Sequence, residues 1–139
     1  MNDVFDSLQA LIGQPLPDSP SPLGRWLGGV LRAAEPGSLS VAYTVREEMT
    51  NPAGVLHGGM IASMMDELIG MTVVATTGRY HASVNLSVDF LSSARVGDVV
   101  ICTTRIVRQG RQIVHAEASL TTEGGKLIAR ATSNLLAKG

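Results

Sequence analysis

The stretch Gly58-Gly59-Met60-Ile61-Ala62-Ser63-Met64-Met65-Asp66-Glu67-Leu68-Ile69-Gly70-Met71-Thr72-Val73-Val74-Ala75-Thr76 decides how this chain folds. Met, Ala, Leu and Ile dominate it and no proline interrupts it. At about 1.5 Å of rise per residue it makes a helix of roughly 28 Å, and Thr77-Gly78 ends it. Its apolar residues cover every face, which predicts a helix buried all round. The chain beyond Gly78 reads as strand. Val84, Leu86, Val88 and Phe90 alternate with Ser83, Asn85, Ser87 and Asp89, and Arg95-Val96-Gly97-Asp98 then turns the chain. Val99 to Val107 is a second strand, and Gln109-Gly110 predicts a tight two-residue hairpin turn. Val114, Ala116, Ala118 and Leu120 alternate with His115, Glu117, Ser119 and Thr121 before Gly124-Gly125 and a last strand, Leu127 to Leu136. One buried helix followed by four consecutive antiparallel strands predicts an α+β meander rather than a βαβ repeat. A sheet covering a single helix must curl around it, using its native twist.

Working outward, Asn51-Pro52 and Gly54 make residues 47–57 a loop. Leu39, Val41, Tyr43 and Val45 alternate with polar or small neighbours as a strand, preceded by a turn at Glu35-Pro36-Gly37-Ser38. Residues 26–34, with Trp26, Leu27, Val30 and Leu31, form a weaker strand candidate. Residues 13–24 hold Pro15, Pro17, Pro20 and Pro22 and read as an irregular connector. Val4, Phe5, Leu8, Leu11 and Ile12 lie at helical spacing, which predicts a short amphipathic helix over 3–12. No second composition shift appears, so the expectation is one domain, 1–139, with residues 1–24 as its helix and connector.

Composition narrows the function. With 139 residues and 45% apolar content the chain can fold around its own core. Eleven Lys and Arg against twelve Asp and Glu give a net charge of -1, which excludes the broad basic footprint of a general nucleic-acid binder. Aromatics at 4% argue against stacking platforms for single strands. Cys102 is the one cysteine, so neither an intramolecular disulfide nor a cysteine zinc cage can form; in an apolar strand it reads as an inert thiol. The start, Met1-Asn2-Asp3-Val4-Phe5-Asp6, is acidic where a leader would be basic. Asp66 and Glu67 interrupt the most apolar run, so no transmembrane span and no membrane partner are expected. The expectation is a cytoplasmic protein.

Asp66 and Glu67 carry the chemistry. An unpaired buried charge costs several kcal/mol, so carboxylates in an apolar helix sit in a functional cleft, a solvated notch or a structural ion pair. Adjacent residues differ by about 100° around a helix, so the two point to different faces. Just upstream, His57-Gly58-Gly59 leads into the helix. Glycines admit a close ligand, and the unpaired first-turn amides and dipole suit an oxyanion; the alternative is a plain junction eased by glycine. The helix start and Asp66 are roughly 12 Å apart along the axis. That is too far for both to act on one carbonyl within one subunit, so the arithmetic points to a site shared between two subunits. His57, His81 and His115 show no metal-ligand spacing.

The string His57-Gly58-Gly59 with Asp66 nine positions after His57, together with Asn51…Gly54, Ser83-Val84-Asn85, Ser92-Ser93-Ala94-Arg95-Val96-Gly97-Asp98 and Gln109-Gly110-Arg111, resembles the hotdog-fold acyl-CoA thioesterases of the phenylacetate-pathway (PaaI-type) branch. The likeness runs from about Gly37 to Leu136. It implies a hotdog fold, a long helix wrapped by a curved antiparallel sheet, with two units paired into one continuous sheet and pairs often joined as tetramers. It implies an active site at the dimer interface. There the Gly58 N–H meets the thioester carbonyl, His57 and Asn51 orient or polarise, and Asp66 of the other subunit is base or nucleophile. Ser83 beside Asp66 would position water, and Glu67 is the second candidate acid.

The implied reaction hydrolyses an acyl-CoA thioester, with coenzyme A part of the substrate and no further cofactor or metal. CoA phosphates need cations, for which Arg95, Arg108, Arg111, Lys126 and Arg130 at strand ends and turns are candidates, Arg108 and Arg111 the best pair. Met60, Met64 and Met65 are candidates for the acyl pocket, or for core filling, and Gly59 is a candidate substrate-binding residue. Trp26 and Phe90 read as packing residues. The competing readings are a non-catalytic acyl-CoA-binding module and a hotdog dehydratase.

Overall fold

The computed structural model describes residues 3–15 and 20–139. Helix α1 (Asp3–Gln9) and helix α2 (Pro22–Leu27) precede the hairpin of β1 (Val30–Glu35) and β2 (Ser38–Thr44). A 3-10 turn (Glu47–Met49) leads to helix α3 (Gly58–Thr77), and four strands come after it: β3 (His81–Phe90), β4 (Val99–Gln109), β5 (Ile113–Thr122) and β6 (Leu127–Ala137). They form one six-stranded antiparallel sheet in the order β1-β2-β4-β5-β6-β3.

The expected four-strand meander needs correcting. β4, β5 and β6 do form one, but β3 pairs with β6 at the far edge and not with β4. The segment after β3 returns the chain across the end of the sheet. It is held there by the Leu91 and Ser92 amides donating to the Ile128 carbonyl and by a bridge between Val55 and Arg95. β3 is therefore an edge strand, ten residues long, with one side unpaired among the described residues.

Helix α3 starts where the sequence predicts and runs one residue further. Gly78, at φ +75°, closes it with its amide on the Val74 carbonyl. Ile61, Met64, Met65, Leu68, Ile69, Thr72 and Val73 are buried against the sheet, where Val41, Val100, Cys102, Val114, Leu120 and Leu135 complete the core. By length and composition α3 could cross a membrane, but this face is the core helix's seat in the sheet. Burial on every face does not hold for the single chain. The sheet wraps only part of the helix, leaving Asp66, Glu67, Gly70 and Met71 half-buried and Val74 40% exposed.

A buried polar chain pins α3 in register. The Thr72 hydroxyl donates to the Leu68 carbonyl at 2.7 Å. Having given its proton there, it accepts from Thr104 across a 2.6 Å contact. The Thr104 oxygen in turn accepts from the Leu39 amide at 3.0 Å. Helix, β4 and β2 are joined through one line of hydroxyls.

The N-terminal expectations change most. Residues 22–27 are helix, where connector and strand were expected. Ser21 caps this helix by accepting from the Gly24 amide at 3.1 Å, Pro22 fits its first position, and Gly28 at φ +71° ends it. Arg46 donates to the Trp26 and Leu27 carbonyls and lies 4.6 Å from the Trp26 ring centroid. The expected strand over 26–34 thus begins only at Val30. At Gly29 a Cβ would sit 2.3 Å from Val41 Cγ1 and 2.8 Å from the Tyr43 ring, so only glycine lets the chain cross the core there. Helix α1 ends at Gln9 instead of 12, and Pro15 bridges to Val30. Pro17 and the middle of the expected connector lie outside the described residues. At the β4–β5 hairpin the connection is Gly110-Arg111-Gln112, closed by the Gly110 amide on the Ile113 carbonyl. Arg111 is thus inside the turn and does not flank it.

Candidate active site

The loop before α3 is held by its own polar groups. Asn51 Oδ1 accepts from the Ala53 amide at 3.0 Å and the Val55 amide at 3.3 Å, and Gly54 turns at φ +77°. This side-chain oxygen shapes the loop and is committed to it. The Thr50–Leu56 bridge and the His57 amide on the Met49 carbonyl close the base.

His57 is the N-cap of α3. Its Nδ1 accepts from the Gly59 amide at 2.8 Å, so Nε2 carries the proton in the neutral ring. The Gly59 amide is therefore spoken for, so Gly59, expected among the substrate-binding residues, offers no amide to a substrate: a Cβ there would stand 3.1 Å from the His57 ring, and glycine is present for that close approach. Among the described residues the Gly58 amide has no acceptor. It is an open donor at the positive end of the helix. Phe90, at the end of β3, overhangs it, 3.2 Å from where a Gly58 Cβ would be.

Further along α3, the Ser83 hydroxyl donates to Asp66 Oδ1 at 2.8 Å. Strict alternation along β3 would put Ser83 on the face opposite Leu86, Val88 and Phe90. A bulge intervenes: Ser83 pairs with Leu135 and Asn85 with Asn134, leaving Val84 without a partner. The extra residue turns Ser83 to the helix side while Leu86, Val88 and Phe90 keep theirs. Asp66 and Glu67 both line an open cleft of about 420 Å³ with Gly70, Met71, His81 and Ser83. The hydroxyl bond singles out Asp66 of the two acids.

Gly58 and Asp66 lie on one unbroken helix, so their axial separation stays at roughly 12 Å. The cations divide. Arg95 bridges to Val55 beside the helix-start loop, and Lys126 reaches the Ser93 carbonyl at 3.2 Å near the same end. Arg111 lines a cleft of about 430 Å³ at the other end of α3, and the Arg108 guanidinium folds over Gly110 beside it. Arg130 stands opposite Asp89 on the outer face of the sheet, away from the helix. Met60 is partly buried, whereas Met64 and Met65 have no exposed surface. The expectation of Met65 in the acyl pocket is thereby corrected: it fills the core beneath the sheet. Among the described residues no group of His, Cys, Asp or Glu could hold a metal ion.

The family model of the thioesterase superfamily matches residues 53–129, a span that contains Gly58, Asp66 and Ser83. The chain belongs to the thioesterase superfamily. It is 34% identical to human acyl-coenzyme A thioesterase 13 over 109 residues, covering 76% of this chain and 78% of the relative. Among solved structures it is similar to zebra fish thioesterase superfamily member 2, at 28% identity and TM-score 0.79, over 98% of this chain and 96% of the other. It is also similar to the smu.793 protein of Streptococcus mutans bound to acetyl CoA, at 25% identity and TM-score 0.77, over 80% of this chain and 89% of that one. The fold is the hotdog fold of this superfamily, a central helix in a curled antiparallel sheet.

Within this thioesterase-superfamily frame, sequence reasoning missed two neighbours of the cleft. Arg79 donates to the Arg111 carbonyl at 3.2 Å, tying the end of α3 to the β4–β5 hairpin, and lines the same cleft as Arg111. His81 is 6% exposed and lines both this cleft and the Asp66 cleft. No local pattern signals either residue, because the hairpin that meets them lies about thirty positions later in the chain.

Proposed function

We propose that this chain hydrolyses acyl-CoA thioesters to a free acid and CoA, at sites built between two copies of itself. The observation that carries the reading is the pair of groups at opposite ends of edge strand β3: the open Gly58 amide under Phe90, and Asp66 held by Ser83. A ten-residue unpaired edge invites a second strand. If two β3 strands pair antiparallel about their midpoints, the Ser83 end of one meets the Phe90 end of the other. Asp66 of one copy then faces Gly58 of its partner, twice over, and the 12 Å gap within one helix ceases to matter.

In this site the thioester carbonyl oxygen sits on the Gly58 N–H, where one oxyanion donor is worth roughly 3–4 kcal/mol of barrier. Asp66 takes a proton from water as the oxygen adds to the carbonyl carbon, or attacks the carbon itself to give a mixed anhydride that water then hydrolyses, releasing the acid and restoring the carboxylate. Collapse of the tetrahedral intermediate breaks the C–S bond, and the thiolate of CoA leaves with a proton. Arg79, Arg108 and Arg111 form the cationic end at which the phosphates of CoA rest, with Arg95 at the other end. His57 fixes the helix start. A substrate carrying CoA suits a cytoplasmic enzyme. The relatives named for acyl-CoA hydrolysis and the acetyl-CoA-bound neighbour support this reading.

Thiol release from a panel of aryl, short and medium acyl-CoA esters tests it, with wild type beside Asp66→Asn. Turnover by the wild type and its collapse in the folded variant are expected. No turnover across the panel would point to a binding module, and turnover retained in Asp66→Asn would move the role to Glu67.

A further inference from the structure

His81 opens β3 with its side chain on the helix side of the sheet, and only 6% of it is exposed. Its Nδ1 lies 2.9 Å from the Arg79 carbonyl. A carbonyl only accepts, so Nδ1 carries the hydrogen, and in the neutral ring Nε2 keeps a lone pair and no hydrogen. Among the described residues nothing donates to that lone pair. Nor, among the described residues, is any unpartnered side-chain nitrogen or oxygen sealed from solvent. Nε2 therefore opens onto the space that His81 lines. That space is double: the Asp66–Ser83 cleft on one side, the Arg79–Arg111 cleft on the other. Among the described residues His81 is the one that the two linings share.

An elongated molecule with its reacting end at Asp66 and its anionic end at Arg79 and Arg111 must pass this ring. The arm of CoA between sulfur and diphosphate carries amide N–H groups, which are donors, and a buried polar acceptor gains from being met by one. Resting on the thioesterase reading above, we propose that His81 Nε2 accepts a hydrogen bond from an amide N–H of the pantetheine arm of the substrate. His81 is a binding and positioning residue: it grips the carrier, not the acyl group, and takes no part in proton transfer. The Arg79 carbonyl is what makes it an acceptor, by fixing the tautomer.

The test compares esters of one acyl group on CoA and on a plain alkanethiol, which has neither amide nor phosphate. Wild type, His81→Phe and His81→Gln are measured on both by steady-state thiol release. His81→Phe is expected to raise KM for the CoA ester roughly fivefold to tenfold, the effect of one neutral hydrogen bond left unmade. On this ester kcat should change little, and the alkanethiol ester should be hydrolysed equally well by wild type and variant. His81→Gln, whose amide oxygen can accept, should recover most of the loss. An equal loss on the alkanethiol ester would overturn the proposal, since the ring would then be acting on the acyl group or on the fold. An unchanged KM for the CoA ester in His81→Phe would overturn it too while leaving the thioesterase reading intact. No wild-type turnover of any CoA ester would overturn both.

Discussion

Replacing Ser83 with alanine removes the hydrogen bond that holds the Asp66 carboxylate and little else. The bond is an O–H donated to a carboxylate oxygen at 2.8 Å, the short, charge-assisted kind. Bonds of that kind contribute about 1.5–3 kcal/mol; at about 1.4 kcal/mol per decade that is roughly a 10- to 150-fold range in rate. Ser83 is exposed in the single chain, so water can take over part of the bond. This moves the expectation to the low end, a fall in kcat of about tenfold. The partner Leu135 and the neighbouring core do not involve the hydroxyl, so Tm should move by only a few degrees. Ser83→Thr, which keeps the hydroxyl, should recover most of the activity. The assay is thiol release at saturating acyl-CoA, with thermal unfolding alongside. An unchanged kcat in Ser83→Ala would refute the view that the β3 bulge exists to aim this side chain. So would a large loss of Tm accounting for the loss of activity.

Three further perturbations probe the scaffold. Thr104→Val strands the buried Leu39 amide and removes the donor to the Thr72 oxygen, which keeps its own bond to Leu68; urea unfolding should show a loss of about 1–3 kcal/mol, and no loss would mean the hydroxyl line is idle. Gly29→Ala drives a methyl into Val41 and Tyr43 and should cost at least about 1–3 kcal/mol by the same measurement. Burial pushes the Cys102 thiol from its ordinary 9.0 up to about 12. The unfolded chain therefore ionises first, so the thiol's contribution to stability is intact below about pH 9 and is lost as pH rises from there towards 12. Unfolding free energies measured across that window should fall more steeply for wild type than for Cys102→Ala, and parallel curves would contradict the assignment.

Much of this architecture is legible in the residues. The uninterrupted apolar run gives α3 to within one residue, and period-two alternation locates the later strands. The rest is not local. That β3 pairs with β6 depends on the path of residues 91–98 across the sheet end, which no pattern within β3 encodes. Alternation even misleads at Ser83, because one inserted residue, Val84, reverses the face. In a helix apolar all round, sequence cannot say which methionines meet the sheet, so Met65 and Met60 look alike until the sheet is in place. The short helix α2 does carry its signals, Ser21 before it, Pro22 at its first position and Gly28 after, but six residues are too few for a periodicity to show. His57-Gly58-Gly59 and Asp66 stand out from sequence, and the family likeness already points to the Gly58 amide; that the neighbouring Gly59 amide is tied up on His57 Nδ1 needed the structure.

The shared site is tested most directly by mixing two inactive proteins. Asp66→Asn spoils the carboxylate in one, and Gly58→Val, whose side chain must displace Phe90, spoils the amide in the other. After unfolding and refolding together, half of the dimers are mixed. Each mixed dimer regains one intact site, Gly58 from the first chain with Asp66 from the second, so specific activity should return to about a quarter of wild type. A mixture as dead as its components, with dimers present and subunits exchanged, would place both groups in one subunit and contradict the account.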